Sequence, residues 1–339
     1  MDAPELSIIV PTLDEIDHIG ALLDDLSLQL GVRTEIIVAD GGSVDGTVPL
    51  CESRGARVVS ASRGRGVQMN AGRTHARAPL LLFLHADSRL DHPRQLAQAV
   101  AAWKDMRDER VAGHFQLRFS ADGPRRRAFI WYECLSALGR PETVNGDQGL
   151  LISARWLGRL GGFHETLPFL EDQDLGRRHL AAGGRWLLLP GRLHTSTRRF
   201  DREGLGARSI QNALIMALFS MRHPVLFADA DGAYAPPGKG TAAGPVLARW
   251  IDAIAADLAR RTPRERLQVV QQLGHYANRQ GLWRAFFAVD VRRMGEAAAR
   301  VHPCLDAYDR WLADPTDHVA VDTVLGMLSL GVMAGIRGR

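Results

Sequence analysis

Three carboxylates follow three hydrophobic runs. Asp14 comes just after Leu6-Ser7-Ile8-Ile9-Val10-Pro11-Thr12, Asp40 closes Glu35-Ile36-Ile37-Val38-Ala39, and Asp87 follows Leu80-Leu81-Leu82-Phe83-Leu84. Each run has the pattern of a strand buried on both faces of a parallel sheet. In open α/β sheets, ligands bind beyond the C-terminal strand ends. Carboxylates gathered on one edge repel one another unless a cation or a hydrogen-bonding ligand stands between them. Asp87 could hold a divalent cation, Mn2+ or Mg2+, which takes oxygen ligands and leaves positions open for phosphate. Asp14 and Asp40 could accept hydrogen bonds from a base or from ribose hydroxyls. Taken singly, each Asp reads more readily as a helix cap; it is their convergence that points to a site.

Other residue types fit the same chemistry. Arg63-Gly64-Arg65-Gly66, with Gln68 and Asn70, could cradle a diphosphate, the glycines allowing close backbone approach. It is not a P-loop, because the lysine and its spacing are absent. Gly41-Gly42-Ser43-Val44-Asp45-Gly46 lacks the dinucleotide-binding order. His85 stands two residues before Asp87, hence on the same side of an extended strand. His194 could complete a metal shell through an imidazole nitrogen, and Arg198-Arg199 could contact a diphosphate. Glu171-Asp172-Gln173-Asp174 gathers three acids at a helix start. There Asp174 complements the helix dipole. Asp172 could take the proton of an attacking hydroxyl, with Glu171 raising its pKa.

The elements needed to position these groups alternate. Strands are expected at 6–10, 35–40, 57–60, 80–84, 149–152 and 186–189, with 111–119 as an antiparallel addition. Amphipathic helices fall between them, at 67–75 and 93–103 among others. This order predicts an α/β fold with a mostly parallel, Rossmann-like sheet and right-handed crossovers. Asp231 to Pro245 is rich in Gly, Pro and Ala and reads as a linker. Beyond it come amphipathic helices, one of them announced by the capping box Thr262-Pro263-Arg264-Glu265. Val319–Ile336 is apolar and near transmembrane length, but Asp322 and its glycines favour a core or interfacial helix. The expected domains are therefore 1–230, a linker 231–245, and a helical 246–339.

Composition excludes little else. With 42 basic and 38 acidic residues the net charge is +4, which gives no nucleic-acid signal by itself. Cys51, Cys134 and Cys304 are far apart and odd in number, as expected of reduced thiols. Met1–Glu5 lacks the basic start of a secretory signal. The expectation is a cytoplasmic chain, able to rest on the inner face of the membrane or to pair with a second copy.

Taken together, Ser7-Ile8-Ile9-Val10-Pro11-Thr12-Leu13-Asp14-Glu15, Ile37-Val38-Ala39-Asp40-Gly41-Gly42-Ser43-Val44-Asp45-Gly46-Thr47, Phe83-Leu84-His85-Ala86-Asp87-Ser88, Gly161-Gly162-Phe163 and Glu171-Asp172-Gln173-Asp174-Leu175 resemble family 2 glycosyltransferases of the GT-A fold. Gln68-Met69-Asn70-Ala71-Gly72, Leu84-His85-Ala86-Asp87 and Gly146-Asp147-Gln148-Gly149 are similar to the bacterial subgroup found near radical-SAM and selenium-related domains. The resemblance covers about residues 5–200. It implies an inverting sugar transfer from a nucleotide-diphospho-sugar donor to a hydroxyl acceptor. It also implies nucleotide contacts at Pro11, Thr12, Asp14, Glu15, Asp40, Gly41 and Ala86, beside the cradle residues Arg63, Arg65, Gln68 and Asn70. Asp87 would bind the metal, Asp172 would be the base, and Asp147, Gln148 and Glu171 would face acceptor or sugar. One departure stands out: His85 occupies a place where the family usually has an acid. A nucleotide-sugar-binding scaffold without transfer activity would have no need of a base at Asp172. A nucleotidyltransferase is disfavoured, because no glycine-rich loop follows the first strand.

Overall fold

The computed structural model describes residues 3–120, 126–223, 226, 243–316 and 318–337, so most of the expected linker 231–245 lies outside the described residues. The chain divides into two compact units, Met1–Ser196 and Thr197–Arg339.

The first unit is built on one mixed sheet of eight strands. These are β1 (Leu6–Thr12), β2 (Thr34–Asp40), β3 (Arg57–Ser60), β4 (Leu80–Phe83), β5 (Arg89–Leu90), β6 (Val111–Phe119), β7 (Leu150–Ser153) and β8 (Arg185–Thr195), in the order β3-β2-β1-β4-β7-β6-β8-β5. β3, β2, β1 and β4 run parallel. β7 is antiparallel to both β4 and β6, β6 and β8 are parallel, and β5 closes the edge antiparallel to β8. All four residues of β4 and all seven of β1 are buried, as their apolar runs require. Pro11 is tolerated in a central strand because β1 pairs with β4 only as far as Ile9, opposite Phe83. Past that point a missing N–H costs no ladder bond on that side.

Helices α1 (Ile16–Ser27), α2 (Thr47–Ser53), α3 (Arg65–Thr74), α4 (Gln95–Asp105), α5 (Arg126–Leu135), α6 (Ala154–Arg159) and α7 (Glu171–Ala181) complete the unit. α1 buries Ile19, Leu22, Leu23 and Leu26, the stripe its spacing predicts. α3 begins earlier than expected, so Arg65 and Gly66 form its first turn rather than a loop. β8 runs past Pro190, where a stop was expected. The pairing jumps from His114–Leu188 to Gln116–Arg192, so Leu189, Pro190 and Gly191 bulge out opposite Phe115. The bulge absorbs the absent proline donor. His194 therefore sits within the strand, not after it.

The second unit is helical: α8 (Arg198–Glu203), α9 (Leu205–Ser220), α10 (Ala243–Arg260), α11 (Pro263–Ala277), α12 (Trp283–Met294), α13 (Pro303–Trp311) and α14 (Val319–Arg337), with shorter turns between them. The capping box at Thr262 and Glu265 is present. α11 and α14 approach so closely that a side chain at Gly274 would collide with the Asp322 carbonyl, and one at Gly326 with the Val270 carbonyl. Asp322 is buried, and its carboxylate accepts from His275 Nδ1 (3.1 Å) and Asn278 Nδ2 (3.0 Å). That accounts for an acid inside an otherwise apolar helix. Among the described residues, no helix is long and apolar enough to cross a membrane.

Candidate active site

The C-terminal edge of β1, β2 and β4 is shaped by loops that hold one another. Asp40 Oδ2 accepts from the amides of Gly42 (2.8 Å) and Ser43 (3.0 Å), turning the chain sharply after β2. Asp14 has a left-handed φ of 54°. Its N–H donates to Ser43 Oγ (2.9 Å), and its Oδ1 accepts from the Val44 amide (2.9 Å). The amides of Glu15 and Ile16 donate to Thr47 Oγ1 (2.9 Å) and Asp45 Oδ2 (3.1 Å). Two of the expected nucleotide carboxylates thus lie on neighbouring loops, Asp14 exposed and Asp40 buried. Pro11, Thr12 and Gly41 are buried beside them.

Gln68 and Asn70 hold backbone. Gln68 is buried, and its Nε2 donates to the carbonyls of Thr12 (2.6 Å) and Ala39 (2.9 Å), tying the ends of β1 and β2 together. Asn70 Nδ2 donates to the Phe163 carbonyl (2.8 Å) and to Glu165 Oε1 (2.9 Å), while its Oδ1 accepts from the Phe163 amide (3.1 Å). Arg63 is exposed, and Arg65 Nε lies 2.9 Å from Glu171 Oε1.

Beyond β4, His85 to Ser88 makes a turn closed by the Ser88 amide on the His85 carbonyl (3.1 Å). Ala86 is buried in it, and Asp87 is half-buried at its tip. His194 pairs across the ladder with Arg89, two residues along from Asp87, and its Nε2 is hydrogen bonded to Asp91.

His85 reaches toward β7. Its Nδ1 lies 2.9 Å from Asp147 Oδ1. Burial works against charge on this imidazole, but Asp147 outweighs it and holds the pKa above the usual histidine value. Next to Asp147, the Gly146 amide donates to Asp172 Oδ2 (2.7 Å), while Asp172 Oδ1 accepts from the Gln173 amide (2.7 Å). Gln173 Nε2 in turn donates to the Val144 carbonyl (2.7 Å), and Arg177 pairs with Glu142 (2.9 Å). The segment from Glu142 to Gly149 is thereby laced along α7. Gln148 is fully buried, with Nε2 donating to the Thr143 carbonyl (2.5 Å). Glu171 is also buried. Burial raises its pKa, Arg65 opposes this, and neighbouring Asp172 adds to the rise.

A pocket opens beside Asp172. His85, Asn145, Gly146, Glu171 and Asp172 line it on the polar side, and Phe83, Phe163, Leu175 and Trp186 give it apolar walls. The structure therefore brings the pairs Arg65–Glu171 and His85–Asp147 together with Asp172, linked through the chain neighbours Glu171–Asp172 and Gly146–Asp147, and Asp14 and Asp40 into another group at the ends of neighbouring strands. The His85–Asp147 pair and the pocket walls Phe163 and Trp186 were not anticipated from sequence. The sequence does bring Gly146-Asp147-Gln148 to notice, but not its partner.

Among the described residues, no three His, Cys, Asp or Glu side chains are grouped to hold a metal by themselves. A single carboxylate in a strand-end turn, as Asp87 is, suits a cation that takes its remaining ligands from phosphate oxygens.

A sheet of this order, with carboxylates on the loops beyond β1, β2 and β4, defines the GT-A type of nucleotide-diphospho-sugar transferase fold. Residues 7–159 match the model of "Glycosyl transferase family 2". An uncharacterized glycosyltransferase of Mycobacterium tuberculosis is 37% identical over 177 residues, covering 51% of this chain and 67% of that one. The chain belongs to glycosyl transferase family 2. A glucosyl-3-phosphoglycerate synthase of Mycolicibacterium paratuberculosis is 34% identical over 98 residues, 26% of this chain and 30% of that protein. The match thus spans less than a third of that relative's length. By fold, the chain is similar to S. aureus TarS 1-349 in complex with UDP, with a TM-score of 0.50, 18% identity, and 97% and 92% of the two chains covered. It is also similar to the mannosyltransferase PcManGT from Pyrobaculum calidifontis in complex with GDP-Man and Mn2+, with a TM-score of 0.50, 19% identity, and 92% and 88% covered.

Proposed function

We propose that this chain transfers a sugar, with inversion, from a nucleotide-diphospho-sugar donor to a hydroxyl acceptor, aided by Mn2+ or Mg2+. The observation that carries the reading is Asp172: a carboxylate fixed by the Gly146 amide at 2.7 Å beside an open pocket. Asp172 takes the proton of the acceptor hydroxyl as its oxygen attacks the anomeric carbon. The bond from that carbon to the donor diphosphate breaks on the opposite face, and the electron pair leaves with the nucleoside diphosphate. Asp14 and Asp40 face the nucleoside, and Arg63 faces the diphosphate. Asp87, with His194 near it, would hold the cation, which as a Lewis acid offsets charge on the departing diphosphate. The segments around Gln68, His85 and Gly146 support a place in the radical-SAM and selenodomain-associated subgroup.

The exposed face of α14 carries Val324 (58% exposed), Met327 (59%), Leu328 (61%) and Val332 (63%), and exposed Trp311 stands just before the helix in sequence. An apolar stripe of this kind, in a basic unit, suits the surface of an anionic membrane. A cytoplasmic enzyme resting there would meet an acceptor presented by the lipid.

The test measures nucleoside diphosphate release from UDP-glucose and GDP-mannose with Mn2+, together with thermal shifts for the same ligands. Asp172→Asn is expected to abolish release while keeping the donor-induced shift. Normal turnover by that variant overturns the assignment of the base. A donor shift without turnover by the unaltered chain, under every acceptor tried, would favour a binding scaffold.

A further inference from the structure

We propose that His85 is a positioning residue for Asp172, acting through Asp147 and the Gly146 amide rather than on the donor. The inference rests on the assignment of Asp172 as base.

The geometry runs in one direction. In the sheet, β4 stands between β1 and β7. Asp14 and Asp40 lie on the β1–β2 side of β4. His85 leaves the end of β4 toward the other side, where its Nδ1 meets Asp147 Oδ1 at 2.9 Å, three residues before β7 opens at Leu150. The turn Gly146–Gln148 is then held by both His85 and Asp172. The His85 ring lies against Gly146 so closely that a side chain at 146 would come within 2.8 Å of Nε2. The Gly146 amide itself donates to Asp172 Oδ2 at 2.7 Å. Asn145 caps the same turn by accepting from the Asp147 amide (3.1 Å). With Nδ1 bonded to Asp147 and the Nε2–Cε1 edge of the ring against Gly146, His85 fixes the amide that fixes the base. An acid at 85 could not hold Asp147 in this way, because two carboxylates repel. Histidine at 85 and aspartate at 147 form one device.

The full chain, without ligand, tests this by amide hydrogen exchange at Gly146. Asp147→Ala alters a side chain that is half exposed, so the fold is not at stake. Asp147→Ala and His85→Ala are each expected to speed Gly146 exchange about tenfold, the loss of roughly one hydrogen bond. His85→Asn, whose amide can donate to Asp147 as Nδ1 does, is expected to restore most of the protection. Unchanged protection in both Asp147→Ala and His85→Ala overturns the proposal, whatever the substrate. The kinetic arm follows hydrolysis of UDP-glucose and GDP-mannose with Mn2+. Where the unaltered chain turns over, His85→Ala is expected to lower kcat about ten- to a hundredfold with the donor KM unchanged, as misplacement of a catalytic group does. A raised donor KM at constant kcat assigns His85 to the donor and overturns the proposal. No turnover by the unaltered chain counts against the transfer reading instead, and the exchange result still decides the role of His85.

Discussion

Arg65 Nε, in the first turn of α3, lies 2.9 Å from Oε1 of Glu171, the first residue of α7. Glu171 is 2% exposed, so this contact supplies positive charge to a carboxylate that water scarcely reaches. Burial still raises the Glu171 pKa on balance. The folded chain therefore holds this proton more tightly than the unfolded chain. Its contribution to stability is greatest in acid and is lost as pH climbs from the usual glutamate value through the raised one. Arg65→Ala removes the opposing charge and widens that window. The expected cost is about 1–3 kcal/mol at pH 7, kept modest because Arg65 is partly exposed, and smaller at pH 5. Urea melts at the two pH values check this, and an equal deficit at both would contradict it.

Asn70 is predicted to matter for stability before it matters for binding. Its amide satisfies both the N–H and the C=O of Phe163, a wall of the pocket. Asn70→Ala leaves two backbone groups without partners and should cost roughly 2–4 kcal/mol. Gly162→Ala should act similarly: its φ is +75°, and a side chain there would come within 2.7 Å of Asn70 Oδ1 and of Arg73. Denaturant midpoints report both effects. An Asn70→Ala chain of normal stability with weakened donor binding would return Asn70 to the nucleotide.

These two cases show what the sequence could and could not reveal. The apolar runs that make β1, β2 and β4 are local signals, and so are the carboxylates at their ends. The first turn of α7 was also legible, because three acids beside an apolar stretch mark a helix start. Gln68 and Asn70 read as ligand-binding amides because their type allows it. Their actual partners are carbonyls 56 and 93 residues away in the chain, and no local pattern records such pairings. Pro190 reads as a stop, yet a bulge carries β8 past it and takes His194 along. β5 has only two residues, too few to show a period. The partner of Asp147 lies 62 residues earlier, in a motif read for its metal chemistry.

His114, in the middle of β6, should make the fold sensitive to acid. It is fully buried, packs edge-on to Trp186 at 6.0 Å, and neither ring nitrogen finds a hydrogen bond of good geometry. Burial pushes its pKa down to about 4, outweighing the opposition of neighbouring Gln148. The unfolded chain therefore binds this proton first. The stability given by the neutral ring is present above pH 6.5 and is lost as pH falls toward 4. His114→Phe keeps a ring of similar size and removes the titration. Stability plotted against pH between 6.5 and 4 should then fall by about one proton's slope less than in the unaltered chain. Parallel curves would place the acid sensitivity elsewhere.

The outward face of α14 makes a prediction about location. Thr197–Arg339 holds 19 of the 42 basic but 14 of the 38 acidic residues, while Met1–Ser196 holds 23 and 24. The net positive charge of the chain thus belongs to the unit that exposes Val324, Met327, Leu328 and Val332. Apolar contact and attraction to anionic headgroups act together there, each too weak to anchor a protein alone. The full chain should float with vesicles containing phosphatidylglycerol and much less with neutral ones, and added salt should release it. Leu328→Asp changes an exposed side chain, so folding should be kept and flotation lost. If instead the unaltered chain ignores both vesicles and sediments as a dimer that Leu328→Asp splits, the stripe is a contact between two copies, and the acceptor need not be a lipid.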